Sequence, residues 1–135
     1  MAKTGLQNEQ LISELLISGS NAITSKNPFG VHTFEQTNNE GEIIDLIQNA
    51  VDVFDGIIIN AGGYTHTSVA IHDALEIFNG AKIELHISNI FKREDFRHHS
   101  FLSSVVDAVI SGLGVAGYQM ALLAIPKLIE SKQSQ

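Results

Sequence analysis

The sequence predicts a three-layer α/β fold, a parallel sheet with helices on both faces. Strand and helix signals alternate from Val31 to Ile87 in the order strand, helix, strand, helix, strand, which favours parallel strands joined by right-handed crossovers. Each strand signal then runs out into polar, turn-prone residues: Gln36-Thr37-Asn38-Asn39, Asn60-Ala61-Gly62-Gly63 and Ser88-Asn89. The 135 residues are read as one domain, long enough to bury a core without disulfides or structural metals.

Taken in order, Asn8 to about Ile17 places Leu11, Ile12, Leu15 and Leu16 at spacings that suit one face of a helix. From Ser18 to Gly30 the residues Gly19, Ser20, Asn21, Ser25, Asn27 and Pro28 mark a loop. Val31 to Glu35 is a short strand. Glu40 to Val51 is a surface helix, with Ile43, Ile44, Ile47 and Val51 on one stripe and acidic residues in the first turn, where the helix dipole favours them. The apolar run Ile57 to Ile59 is a buried strand that empties into the loop Asn60 to Ser68. The helix from Val69 to Phe78 has Thr67 or Ser68 to cap it. A turn at Asn79-Gly80 leads to a second apolar strand, Lys82 to Ile87.

Beyond the charged stretch Lys92 to His99, the segment Phe101 to Ile125 holds one charged residue, Asp107. Its length invites a test as a membrane span, but a buried helix in an α/β layer or at a subunit interface is equally apolar, and no membrane association is expected. Gly112, Gly114 and Gly117 fit G-x-G-x-x-G. A dinucleotide fingerprint must follow a strand and open a helix, whereas these glycines fall inside a helical pattern, so close backbone approach is their expected role. Pro126 is expected to stop or kink that helix.

Composition narrows the chemistry. Without cysteine, neither a disulfide framework nor a thiolate metal site can form. A net charge of -7 with eight Lys and Arg gives no basic patch for nucleic acid, so a small anionic ligand needs locally focused positive groups. The opening residues MAKTGLQNEQ lack the basic-then-apolar order of a secretory signal, which reads as a cytoplasmic protein.

A parallel sheet brings the three polar loops to one rim, where open α/β sheets bind ligands. His66 and His86 can exchange protons near neutral pH, and Asn60 and Ser88 can hold hydroxyls. Backbone N–H groups after His86, with the planar fork of Arg97, suit a carboxylate. Together these suggest a polyhydroxylated acid as ligand. The plainer alternatives are a structural histidine at a strand end, solvated surface carboxylates at Glu84 and Asp73, and an exposed, salt-bridged turn from Arg93 to His99. A metal site from His66, His86 and His98 or His99 lacks the i, i+4 spacing and acidic partner of a zinc motif.

Four stretches are more specific. Asn38 to Asp45 (NNEGEIID), Ile59 to Leu75 (INAGGYTHTSVAIHDAL), Glu84 to Ser100 (ELHISNIFKREDFRHHS) and Gly112 to Leu122 (GLGVAGYQMAL) resemble, in order and spacing, the type II 3-dehydroquinate dehydratases. The resemblance implies a flavodoxin-like domain, a dodecamer built of trimers, and dehydration of 3-dehydroquinate to 3-dehydroshikimate in the shikimate or quinate pathway, with no metal or organic cofactor. By position it makes His86 the general acid that protonates the departing hydroxyl, with Glu84 supporting it. Asn60, His66, Ile87, Ser88 and Arg97 become substrate contacts, Ile87 and Ser88 partly through backbone N–H groups. Asp73 becomes the residue that reaches into a neighbouring subunit's site.

The departures are as specific. Members of that family begin with a strand and a Gly-Pro-Asn-Leu-Asn loop, followed by a lid whose Tyr removes the C2 proton beside an Arg. No counterpart is recognisable here. Residues Asn8 to Pro28 correspond to the family's first helix and the loop after it, which leaves the central strand missing. The two tyrosines, Tyr64 and Tyr118, and the two arginines, Arg93 and Arg97, match other family positions. Loss of one positioned acid-base group costs about a hundred to ten thousandfold, so an impaired dehydratase is expected. The alternative is a non-catalytic homologue that binds a cyclic hydroxy-carboxylate or serves as an assembly subunit. Truncation, a misplaced start or divergent replacement of the N-terminal part would each account for the difference.

Overall fold

The computed structural model describes residues 12–18 and 30–134, with side chains from Thr33 onward. Five strands form one sheet: β1 (Ile12–Ser18), β2 (Gly30–Gln36), β3 (Gly56–Asn60), β4 (Ala81–His86) and β5 (Ala108–Ser111). Their order is β2-β1-β3-β4-β5, and every neighbouring pair is parallel. Three helices of more than two turns accompany them: α1 (Glu40–Ala50), α2 (Val69–Ile77) and α3 (Ala116–Gln133).

The helices divide between the two faces because the central strands are apolar on both. Along β3, Ile57 and Ile59 join the core under α1 and α2 with Ile43, Ile47, Ile71 and Leu75, while Ile58 faces the α3 side with Tyr118, Leu122 and Ile125. Each such buried Ile or Leu contributes about 1.5–3 kcal/mol. Strand β4 is buried throughout but divided by chemistry. Ala81, Ile83 and Leu85 pack under α3, and the alternate positions Lys82, Glu84 and His86 are polar. Alternation of side chains across a strand thus puts Glu84 and His86 together on one face.

The caps follow the sequence. The Asn39 side chain accepts from Glu42 N–H at the start of α1, and Ser68 Oγ accepts from Ile71 N–H at 2.9 Å at the start of α2. Ser68 Oγ also donates to Glu40 Oε2 at 2.5 Å, joining the first turns of the two helices. The stripe expected on α1 is borne out: Ile43 and Ile47 are fully buried, and Ile44 and Val51 pack partly against them.

Three expectations are corrected. Ile12–Ser18 is a strand and not part of a helix; Asn8 to Leu11 of that expected helix, and the loop over residues 19–29, lie outside the described residues. This strand occupies the place between β2 and β3 that the family resemblance left empty. A short apolar run such as Leu15 to Ile17 fits helix or strand equally well by its pattern alone.

The long apolar segment is likewise not one helix. It contains a single 3-10 turn (Ser103–Val105), strand β5, a glycine turn and the first part of α3. Gly112 and Gly114 therefore lie between a strand and a helix, with φ of +94° and +63°. Third, Pro126 does not stop α3, which continues to Gln133 and forgoes the one backbone bond that proline cannot donate. Among the described residues no helix is long and apolar enough to cross a membrane.

Candidate active site

With all strands parallel, Asn60, His86 and Ser111 end β3, β4 and β5 on the same rim. A cleft of about 310 Å³ opens there, lined by Asn60, His66, His86, Ile87, Ser88 and Arg97, all expected from the sequence. Gly62, Gly63, Ile90 and Arg93 complete its walls. A cleft of about 330 Å³ lies at the opposite end of the sheet, around Phe54, Asn79, Gly80 and Lys132, and it gathers no histidine.

Glu84 stands behind the cleft and is only 1% exposed, which overturns its reading as a solvated surface carboxylate. Its Oε2 accepts from His86 Nε2 at 2.5 Å and from Ser100 Oγ at 2.9 Å, and its Oε1 accepts from Ser103 Oγ at 2.7 Å. Burial pushes the Glu84 carboxyl up, but the hydrogen bonds from His86, Ser103 and Ser100 and the charge of His86 outweigh it. The net direction is below the ordinary value. An ionised carboxylate only accepts, so Nε2 of His86 carries hydrogen and Nδ1 is the nitrogen left to exchange a proton with a ligand.

His66 lies beside it, the two rings stacked with centroids 6.3 Å apart and planes 15° from parallel. Its Nδ1 is 2.8 Å from the carbonyl of His99. A carbonyl cannot donate, so Nδ1–H points to His99 and Nε2 of a neutral His66 is an acceptor. With Nε2 of His86 and Nδ1 of His66 engaged, Nδ1 of the one and Nε2 of the other are the ring nitrogens left for a ligand. Phe101 N–H donates to Thr65 O at 2.9 Å, fastening the segment that carries His99 and Ser100 to the loop that carries His66.

Asn60 is buried. Its Nδ2 is 3.0 Å from the hydroxyl of fully buried Tyr118, and its Oδ1 accepts from Gly62 N–H at 3.1 Å. Tyr64 points elsewhere, donating its hydroxyl to Asn38 O at 2.9 Å. Both tyrosines of the chain are therefore employed in holding the fold.

Arg97 comes from a single 3-10 turn (Asp95–His98), where its guanidinium sits 4.8 Å over Phe96 and its Nε donates to Glu94 Oε1 at 2.7 Å. That bond leaves the terminal Nη groups for an anion. The stretch Arg93 to His99 is mainly exposed, as expected, yet both of its arginines reach the cleft. This concentrates positive charge within a chain of net charge -7.

Asp73 is on α2, outside the cleft. Its side chain is 65% exposed and bonded to His72 Nδ1 at 3.1 Å. Donor atoms of His72, Asp73 and Glu76 lie within 4.8 Å of one another on that exposed helix face, whereas the histidines weighed for metal binding from the sequence do not form such a group among the described residues.

Sequence reading missed Arg93, and it missed the three residues that hold the site from behind: Ser100, Ser103 and Tyr118. Arg93 carried a faint signal, one helical turn from Arg97. The others lie 16, 19 and 58 residues from the groups they hold, a separation at which a single sequence gives no signal.

The family model of class II dehydroquinase matches residues 16–126, a span containing every cleft residue. The chain belongs to the class II dehydroquinase family. A 3-dehydroquinate dehydratase of Bartonella henselae is 54% identical over 94 residues, covering 70% of this chain and 64% of the relative. One from Cereibacter sphaeroides is 50% identical over 107 residues, covering 79% and 72%. The chain thus spans about two thirds of the length of these relatives. A solved type II dehydroquinase from Butyrivibrio crossotus superposes with a TM-score of 0.77 at 38% identity, over 86% of this chain and 98% of that one. The parallel sheet flanked by helices is therefore the dehydroquinase fold, flavodoxin-like as expected.

Proposed function

We propose that this dehydroquinase-family chain binds 3-dehydroquinate in the rim cleft and dehydrates it to 3-dehydroshikimate, at a rate limited by the lack of a positioned base among the described residues. The reading rests chiefly on the buried Glu84–His86 pair, a histidine held through Nε2 at the floor of a cleft walled by two arginines. In this scheme Ile87 and Ser88 N–H groups and the Arg97 fork take the carboxylate, while Asn60 and His66 take ring hydroxyls. Loss of the C2 proton gives an enolate. Expulsion of the C1 hydroxyl follows as His86 supplies a proton from Nδ1, so that water leaves and the conjugated enone forms. With Tyr64 bonded to Asn38 and Tyr118 to Asn60, the C2 proton passes to solvent, which slows turnover by about a hundred to ten thousandfold.

The same reading includes a single domain, a trimer-based dodecamer in which exposed Asp73 reaches a neighbouring copy's cleft, and a cytoplasmic place in the shikimate or quinate pathway. A calorimetric titration with a cyclic 3-dehydroquinate analogue tests the binding half. Saturable binding, weakened by Arg97→Lys, is expected; absence of binding overturns the proposal. Binding without any turnover would favour a non-catalytic homologue, for which the occupied tyrosines are the supporting observation.

A further inference from the structure

The glycine turn after β5 satisfies the strand-then-helix context of a dinucleotide fingerprint, but its amides are already engaged. Gly112 N–H donates to His86 O at 3.3 Å and Gly114 N–H to Ile87 O at 2.9 Å. Ser111 Oγ donates to Ser88 O at 3.1 Å and accepts from Ile90 N–H at 3.3 Å. Three consecutive carbonyls on the cleft wall, those of His86, Ile87 and Ser88, are thus held by one short segment. The approach is close: a Cβ on Gly112 would stand 3.1 Å from Asn89 Cβ.

A trans peptide is planar, and its C=O and N–H point in opposite directions. Fixing the carbonyls of His86, Ile87 and Ser88 therefore fixes the N–H directions of Ile87, Ser88 and Asn89, each aimed away from the segment that holds the carbonyl. Ile87 and Ser88 line the cleft. We infer that Ser111–Gly114 is a positioning strap that aims the backbone N–H groups of Ile87 and Ser88 at the ligand's carboxylate, and that the left-handed φ of Gly112 and Gly114 serves this purpose. The inference rests on the carboxylate-binding reading given above. The amides of Gly112 and Gly114 are spent on the strap and are not offered to a pyrophosphate.

Gly114 is the informative position. Its φ is +63° and nothing lies within 4 Å of where a Cβ would be, so a substitution there acts through backbone conformation and not through a clash. Asn tolerates this conformation, whereas a β-branched Val is strained in it. The experiment titrates wild type, Gly114→Asn, Gly114→Val and Ser111→Ala with quinate and with quinate methyl ester, after checking each fold by circular dichroism. Wild type should prefer the acid. Gly114→Val should lose about tenfold in acid affinity, as one displaced charge-assisted hydrogen bond would cause, with ester binding unchanged. Gly114→Asn should recover the wild-type preference, and Ser111→Ala should shift it in the direction of Val without any backbone strain.

If wild type prefers the acid and both Gly114→Val and Ser111→Ala keep that preference, the strap is refuted while the carboxylate reading stands. Equal weakening of acid and ester refutes it too, because the effect would then be general loosening. If wild type does not distinguish acid from ester, the carboxylate reading fails, and the strap with it. Should Gly114→Val not fold, Ser111→Ala decides alone.

Discussion

The Glu84 carboxylate, buried to 1% exposure, holds His86 Nε2 at 2.5 Å while two serine hydroxyls complete its acceptor shell. Replacing it with Gln puts an amide N–H₂ where one of three donors now points. Glu84→Gln is therefore expected to misorient His86 and reduce any dehydratase rate by about a hundredfold or more, measured as enone absorbance. Unchanged turnover would show that the pair is structural only.

The same carboxylate gives a pH signature. Its folded-state pKa lies below the ordinary 4.5, so the unfolded chain binds more protons over the interval between the two values. The stabilisation is fully present above about pH 4.5 and is lost as pH falls through the lower, folded value. Thermal unfolding of wild type should steepen with acidity below that point, and Glu84→Gln should be flatter there. Identical acid limbs would contradict the assignment.

Tyr118→Phe removes the hydroxyl that holds Asn60 Nδ2 at 3.0 Å without changing the buried ring. A cost of about 1–3 kcal/mol in unfolding free energy is expected, together with weaker ligand binding, because Asn60 lines the cleft. A loss of stability with unaltered binding would confine Tyr118 to the core.

Gly80→Ala tests packing far from the rim. A Cβ there would meet the Asp55 carbonyl oxygen at 2.4 Å and the Phe78 ring at 2.7 Å, and a backbone atom cannot step aside as a side-chain tip can. Chemical denaturation should show a loss of about 1–3 kcal/mol, as for other overpacked sites. Gly63→Ala, with open space around it, is the control and should be close to neutral.

Much of this was legible in the sequence because it is local. The loop Asn60 to Ser68 announces a strand emptying toward a helix N-terminus, and Ser68 caps that helix as its position requires. His66, His86, Ser88 and Arg97 were identifiable by residue type once a parallel sheet brought their loops to one rim. What was not legible depends on distance or on context. Glu84 is named as the support of His86 through the family resemblance alone; by residue type it looks like any strand carboxylate until Ser100 and Ser103 fold over it. Ile12–Ser18 read as helix because a short apolar run fits helix or strand equally well. Gly112 and Gly114 read as helical because the four residues of β5 before them are too short a run to register.

Arg97→Lys keeps a positive charge but loses the planar fork and the Nε bond to Glu94. Affinity for the acid should fall by about tenfold while that for its ester is unaffected, the difference being read by calorimetry. Equal affinities in the variant and wild type would remove Arg97 from the carboxylate site.

An ultraviolet assay of 3-dehydroquinate with wild type and His86→Ala tests most directly the proposal that His86 acts as the acid without a positioned base among the described residues. The account predicts slow enone formation by wild type, about a hundred to ten thousandfold below a lid-bearing family member, and none above background in His86→Ala. Turnover at the full family rate, no turnover by wild type, or activity that survives His86→Ala would contradict it.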